Sequence, residues 1–470
     1  MKTRQNDFTR GPILGPLIKF ALPVLLALFL QALYGAVDLL IVGRFGTSVN
    51  VSGVSMGGQI TQAFTQIIVG LATGTTVLLG QFIGDRQEKK AGNVIGTSIF
   101  VFLIVALAAT VILLSMAEVL LRLFRTPEEA LSQGIIYTQI CGIGMVFIVA
   151  YNLLGSIFRG IGDSRTPLIT VAIACVVNIA GDLLLVGALH MAAAGAAIAT
   201  VFAQAVSVAV SLMIIRRRGL PFAFGRENIR YRKDLSWKMF RLGLPLAIQE
   251  IVISASFLIV AGITNTLGLV ASASAGVAGR LIIFIMLLPS AYSQSLSAFV
   301  AQNIGAGKTE RAKKGVHAGQ LSAVIVALAV GSLLYLLCEY IMKAFGADGQ
   351  VLMMGISGIR FLAFCYAFVG LDQVTGGAMR GAGAAIVPAI TAITSNLVRI
   401  PLAYFLGARP LRREIAQILS EKGPDLTEKA AELFAGGAYS TMEEAEQSAA
   451  AILAAPNHFM YMFYAMGISM

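Results

Sequence analysis

The sequence predicts an all-α polytopic membrane protein of twelve transmembrane helices in two six-helix lobes, related by a parallel pseudo-twofold repeat, with the last helix cut short. Three observations carry this. Of 470 residues 57% are hydrophobic and 13% charged, where a soluble domain has about a quarter of its residues charged. Apolar runs of about 20 residues, enough to cross a hydrocarbon core of roughly 30 Å, recur along almost the whole chain. A stretch at Arg159 to Leu185 returns at Arg380 to Leu406 with Arg159/Arg380, Gly160/Gly381, Gly162/Gly383, Pro167/Pro388, Ile169/Ile390 and Thr170/Thr391 in register. Inside a bilayer the backbone of these runs must be helical, because water is not there to satisfy an open N–H or C=O.

In order, the first half has apolar spans at 17–42, 51–80, 93–117, 134–158, 166–189 and 192–215. A basic linker, 216–238, separates an N-lobe, 1–215, from a C-lobe, 239–470. The second half has spans at 239–264, 269–301, 316–338, 353–379 and 387–408, and a twelfth at 458–470. That last run of about 13 apolar residues makes only about 20 Å of helix, so the chain is expected to be truncated. The repeat reaches further than its central stretch. Leu22-Pro23 matches Leu244-Pro245, and Gly80-Gln81-Phe82-Ile83-Gly84 matches Ala301-Gln302-Asn303-Ile304-Gly305. Six spans separate the copies, so they keep the same orientation and the twofold runs along the membrane normal.

Lys and Arg decide which side is which. With the N-terminus inside, the inner segments carry 23 of these residues and the outer segments nine. By the positive-inside rule the N-terminus is cytoplasmic, and the net charge of +11 is topological, with no call for a nucleic-acid partner. No cleavable signal peptide is expected, since polar Met1 to Arg10 runs into a span too long for an h-region.

The remainder, 409–457, reads as an extracellular insertion with helical patterning at Arg412 to Leu419, Leu426 to Phe434 and Met442 to Leu453, and a capping box at Ser440 and Thr441 with Glu443 and Glu444.

Several motifs are set aside. The four cysteines sit in or at the ends of apolar runs without metal spacing, the three histidines are scattered, and no His-Glu-x-x-His occurs; neither disulfides, a metal site nor a zinc enzyme is expected. Gly305-Ala306-Gly307-Lys308-Thr309 imitates a phosphate loop, but Gln302 stands where its first glycine belongs. Gly160-x-Gly162 has no strand before it, and Gly70-x-x-x-Gly74 is a close helix contact.

Charges inside spans are costly and are functional candidates by default. Asp38, Asp182 and Thr200 stand on three helices, each about 9 to 12 Å from the outer boundary at 1.5 Å per residue. Asn178 shares a helix face with Asp182 at i, i+4, and Gln31 and Tyr34 precede Asp38 on its helix. No Lys or Arg lies at that depth in the first half. Two acids without a basic partner in a low-dielectric cavity are set up to exchange protons near neutral pH or to hold Na⁺ jointly. The second half has Glu250 and Asp372 but also Arg280 and Arg399, so structural ion pairs and substrate contacts both remain open there. Asp38 and Asp182 correspond to apolar Val260 and Ala403.

With its leading Leu-Pro in each half, its Gly-Gln/Ala-Gln elements and its Arg-Gly-x-Gly-Asp-x-x-x-Pro loop at Arg159 to Pro167, the chain resembles the multidrug and toxic compound extrusion (MATE) family, on its bacterial NorM/DinF-like branch, from about Leu14 to Leu406. The resemblance implies a secondary active antiporter in the bacterial inner membrane, exporting cationic, often aromatic compounds in exchange for H⁺ or Na⁺, with no further cofactor, expected as a monomer in contact with membrane lipids. It assigns cation coupling to Asp38, Asn178, Asp182 and Thr200, with Na⁺ held at Asp38, Asn178 and Asp182. It sets Gln31 and Tyr34 near the substrate, makes Pro23 the bend of the first helix, and fits Asp372 to a substrate acid in the tenth helix. Glu250, the acid of the seventh helix, is shifted from the family's usual position. A flippase for lipid-linked precursors is the alternative within the superfamily, though the acidic N-lobe speaks against the large basic cavity it needs. An enzyme would require a nucleophile–base or metal constellation that the sequence lacks, and a channel would differ from a carrier in showing no saturable, gradient-driven uptake.

Overall fold

The computed structural model of the chain describes residues 7–222, 224–265, 269–344, 346, 349–421, 423–435, 441–443, 445–447, 449–450 and 453. Every regular element among them is helical. In the first half these are α1 (Leu14–Phe45), α2 (Ser48–Gly84), α3 (Glu88–Leu123), α4 (Glu128–Ile143), α5 (Met145–Gly160), α6 (Arg165–Asp182) and α7 (Ala192–Arg218). The second half has α8 (Lys233–Asn265), α9 (Leu269–Gly305), α10 (Thr309–Ala344), α11 (Gly349–Gly381) and α12 (Ile386–Leu402), then α13 (Arg409–Glu421) and α14 (Pro424–Ala435).

Among the described residues ten helices are long and apolar enough to cross a membrane, or eleven if α4 and α5 count as one span. That pair is the expected 134–158 span, broken at Gly144 by a bend of 58°. The helices pack closely at the break, where a Cβ on Gly144 would collide with the Val201 side chain of α7. The twelfth predicted span, 458–470, lies outside the described residues.

The chain condenses into two compact units. The first comprises Met1–Ile251, Leu287–Gly319 and Gln373–Ala389, and the second Val252–Met286, Gln320–Asp372 and Ile390–Met470. Thus α8, α9, α11 and α12 each lend one end to the first unit, together with the start of α10, instead of lying wholly in a C-lobe. Small residues let helices meet there at backbone distance. A Cβ on Gly70 would stand 2.8 Å from the Ala247 nitrogen, and one on Gly74 would overlap the Met239 carbonyl, so the Gly-x-x-x-Gly pair is the helix contact expected of it.

The repeat is visible as structure within this unit. Gln81 Nε2 of α2 donates to the Gly381 carbonyl at 3.3 Å, and Gln302 Nε2 of α9 donates to the Gly160 carbonyl at 3.3 Å. Each copy's glutamine therefore holds the other copy's Arg-Gly-x-Gly turn. Those turns are helix C-caps: Gly162 and Gly383 adopt φ +83° and +91°, and the amides of Asp163 and Ala384 return to the carbonyls of Phe158 and Met379. Gly307, at φ +69°, closes α9 in the same way while Lys308 Nζ donates to the Thr9 carbonyl, so the imitation phosphate loop is another helix cap. The N-terminal segment is strapped down beside it. Phe8 is fully buried between the rings of Phe20 and Phe299, and Arg311 donates to the carbonyls of Phe8, Arg10 and Gly11.

In the second unit Leu281, Ile285, Ala327, Met342, Ile359 and Tyr366 form a core from α9, α10 and α11, and the Tyr366 hydroxyl donates to the Ile285 carbonyl at 2.7 Å. Beyond α12 the insertion is helical over α13 and α14, with Leu426 and Ala430 of α14 packed on Ile418 and Leu419 of α13, and residues 444, 448, 451 and 452 of the third expected helix lie outside the described residues. Of the proposed capping box, Ser440 and Glu444 lie outside the described residues. All four cysteines are free.

Candidate functional site

The first unit gathers the polar residues of five helices. Along α1, Gln31, Tyr34 and Asp38 recur at intervals of three and four and so share one face. α6 adds Asn178 and Asp182, and α7 adds Thr200 and Gln204, each pair at i, i+4. α4 brings Tyr137 and Cys141, and α5 brings Tyr151. α1 runs unbroken through Pro23, and α6 passes directly after Asp182 into a π-helical turn, Leu183–Ala188.

The four predicted coupling residues converge. Asp38 and Asp182 are 6% and 0% exposed, and their carboxyl groups meet within hydrogen-bonding range. Asn178 Nδ2 donates to Thr200 Oγ1 at 3.4 Å, with Asn178 1% exposed. Several acceptors are left over: Asp38 Oδ1, both oxygens of Asp182, Asn178 Oδ1 and Gln204 Oε1 are buried without a donor among the described residues. Two facing carboxyls stay in contact only when they share a proton or a cation lies between them. The leftover atoms are all oxygens, the donor type that hard cations take. The described residues hold no group of three or more His, Cys, Asp and Glu side chains fit for a metal ion.

Around the acid pair stands an aromatic and amide lining. Gln31 Nε2 donates to the Tyr151 hydroxyl at 2.7 Å. Tyr34 lies against Gln204 and Asp38, and Tyr137 reaches Thr200. Gln31 and Tyr34 thus lie on the face of α1 that carries Asp38. Tyr137, Tyr151 and Gln204 were missed; Gln204 is one turn beyond Thr200, a spacing that sequence could have exposed, but nothing in the broken 134–158 span marks its two tyrosines.

The second-half acids do not join this cluster in the same way. Glu250 is half-buried on α8, within electrostatic reach of Arg380. Asp372 closes the second unit's part of α11 and is exposed, with a partner of its own. Arg399 on α12 is 2% exposed and makes no ion pair among the described residues, so for it the structural ion pair considered from sequence is absent. The side chain of Arg280 lies outside what the structure describes.

Comparison with known proteins follows the same repeat. The probable multidrug resistance protein YpnP of Bacillus subtilis is 26% identical over 404 residues, covering 86% of this chain and 90% of the relative. The probable multidrug resistance protein NorM of Thermotoga maritima is 26% identical over 407 residues, covering 83% and 85%. Among solved structures, that of MATE in complex with MaD3S superposes with a TM-score of 0.80 at 20% identity, over 86% of this chain and 91% of the other. The MatE family model matches residues 23–184 and 245–405, the two copies of the repeat, and the chain therefore belongs to the MatE family of multi-pass membrane transporters.

Proposed function

We propose that this chain is a secondary active antiporter that exports cationic, often aromatic compounds in exchange for H⁺ or Na⁺. The observation that carries the reading is the buried Asp38–Asp182 pair with its unpartnered oxygens. Ionised, the pair leaves negative charge in a low-dielectric pocket, which attracts a cationic solute. A proton or Na⁺ arriving from outside neutralises the same charge, so solute and coupling ion exclude one another. This mutual exclusion, applied in alternating states, couples the downhill ion to uphill export.

The lining fits the solute's chemistry. Tyr34, Tyr137 and Tyr151 offer rings to an organic cation, and Gln31 and Gln204 offer amides. Asn178 and Thr200 complete the oxygen set around the ion, with Na⁺ as exchanged substrate held by Asp38, Asn178 and Asp182. Pro23, which removes one backbone hydrogen bond from α1, is the point at which that helix bends as the site changes occupancy. Glu250 and Asp372 are assigned to solute contacts on the second-half helices. The names of the relatives, multidrug resistance proteins, support the substrate class. The excess of Lys and Arg in the segments on the N-terminal side supports a cytoplasmic N-terminus in a bacterial inner membrane.

The test is transport by purified protein in proteoliposomes under separately imposed H⁺ and Na⁺ gradients. Asp38→Asn and Asp182→Asn should each reduce gradient-driven export of a cationic dye to background. Full export by both variants would sink the assignment, and the gradient that drives the unaltered protein names the ion.

A further inference from the structure

The repeat pairs three residues of the coupling site, Asp38, Asn178 and Asp182, with counterparts, and one counterpart is unlike the rest. Asp38 and Asp182 become Val260 and Ala403, which are 2% and 0% exposed and pack against each other as a small apolar cluster with Leu402. Asn178, at the same offset that pairs Arg159 with Arg380, becomes Arg399. The second copy thus exchanges two acids for apolar side chains and puts a permanent cation in the place of an amide.

Arg399 is enclosed and unsatisfied. It is among the largest fully buried side chains, and its Nε and Nη2 have no hydrogen-bond partner among the described residues. The guanidinium stacks on the Phe257 ring of α8 at 4.2 Å from the centroid, which steadies the cation from one face and leaves the Nε–Nη2 edge without a hydrogen bond among the described residues. Nearby polar groups are committed elsewhere: Ser256 Oγ donates to the Asn396 carbonyl at 3.1 Å, and Asn396 Nδ2 donates to Ala392 of its own helix at 2.8 Å. A lysine could shed its proton in such surroundings, but a guanidinium cannot. The charge persists, and a buried unpaired charge requires a counter-ion.

The two unpartnered nitrogens also specify which counter-ion. Nε–H and Nη2–H are the parallel donors on one edge of the guanidinium, the pair that receives the two oxygens of a carboxylate side on. We propose that Arg399, braced by Phe257, is an anion-receiving site for the carboxylate of a transported organic solute, so that this chain exports carboxylate-bearing compounds as well as simple cations. This rests on the export reading and adds to it a second site of opposite polarity.

A matched pair of dyes tests it: a rhodamine methyl ester, which is only cationic, and the same rhodamine as its free acid. Binding to the purified full chain is followed by fluorescence anisotropy, and export by proteoliposome assay. Arg399→Gln should weaken binding of the free acid by about tenfold or more, the worth of a charge-assisted bidentate pair, while binding of the ester stays within about twofold. Arg399→Lys should restore part of the free-acid binding, because it returns the charge without the fork. Arg399→Met removes the charge without leaving a stranded donor and should fold where Arg399→Gln fails. Equal loss for both dyes, or no loss for either, overturns the proposal. So does a result in which Arg399→Met spares both dyes and abolishes stabilisation by phosphatidic acid vesicles, since the oxyanion is then a lipid phosphate. If the ester is not exported by the unaltered protein, the export reading fails on its own, and the anisotropy result still decides the anion site.

Discussion

The stretch that ends α6 and the one that ends α12 are two copies of one design with opposite chemistry. Both follow an Arg-Gly-x-Gly cap, both contain the matched proline, and both pass into a π-helical turn, at Leu183–Ala188 and Ala403–Ala408. π turns are frequent at functional sites. Here the turn recurs where the acids do not, so it belongs to the duplicated scaffold. In the first copy two carboxyls meet and strand their oxygens; in the second the same two positions are apolar and a guanidinium strands its nitrogens. The lesson is that duplication preserved what holds the helices and freed the charged positions.

The comparison can be broken most severely by making the first copy resemble the second. Asp182→Ala installs the residue found at Ala403, and gradient-driven export of a cationic dye should fall to background in proteoliposomes; retained export would mean that the acid pair is not the coupling element. The converse change is milder. Ala403→Asp sets a carboxylate one turn from Arg399, where the i, i+4 spacing lets the two pair. It should abolish free-acid rhodamine binding measured by anisotropy, with ester binding unchanged, and undiminished free-acid binding would argue against an anion site at Arg399.

Smaller effects probe the shared scaffold. A Cβ on Gly305 would collide with the Gln81 carbonyl, and one on Gly84 with the Gln302 carbonyl. Gly84→Ala and Gly305→Ala should each lower stability by roughly 1 to 3 kcal/mol, read as a drop in the thermal unfolding midpoint in detergent. The smallest effect is expected from Gln81→Ala and Gln302→Ala, each removing one of the reciprocal bonds at 3.3 Å and costing about 1 kcal/mol. Similar costs in the two members of each pair would confirm that the scaffold is symmetric; a large difference would show that one copy bears more of the packing.

Much of the architecture was legible in advance because its causes are local or additive. Apolar runs mark helices in a bilayer whatever their neighbours, and eleven of the twelve expected spans are present, one of them bent. The bend at Gly144 is not marked along the chain, and the side chain packed against it, Val201, is distant in sequence. Within the site, Asp38, Asp182 and Thr200 could be named from their common depth, since depth follows from counting residues along a helix, and Asn178 from its i, i+4 spacing to Asp182. Tyr137 and Tyr151 could not, since nothing along the chain says which face of α4 or α5 turns toward α1.

The sequence by itself determined a duplicated helical membrane protein, the residues that recur and the two acids that do not, because composition, period and repeat register are properties of the chain alone. Only the tertiary structure decided what those residues meet. It brought Asp38 to Asp182 across two helices, exchanged the glutamines between the copies, and set Arg399 on the Phe257 ring with Nε and Nη2 unpartnered among the described residues. Contact depends on the rotation and approach of packed helices, and those are set by close-packing of glycines and side chains remote along the chain.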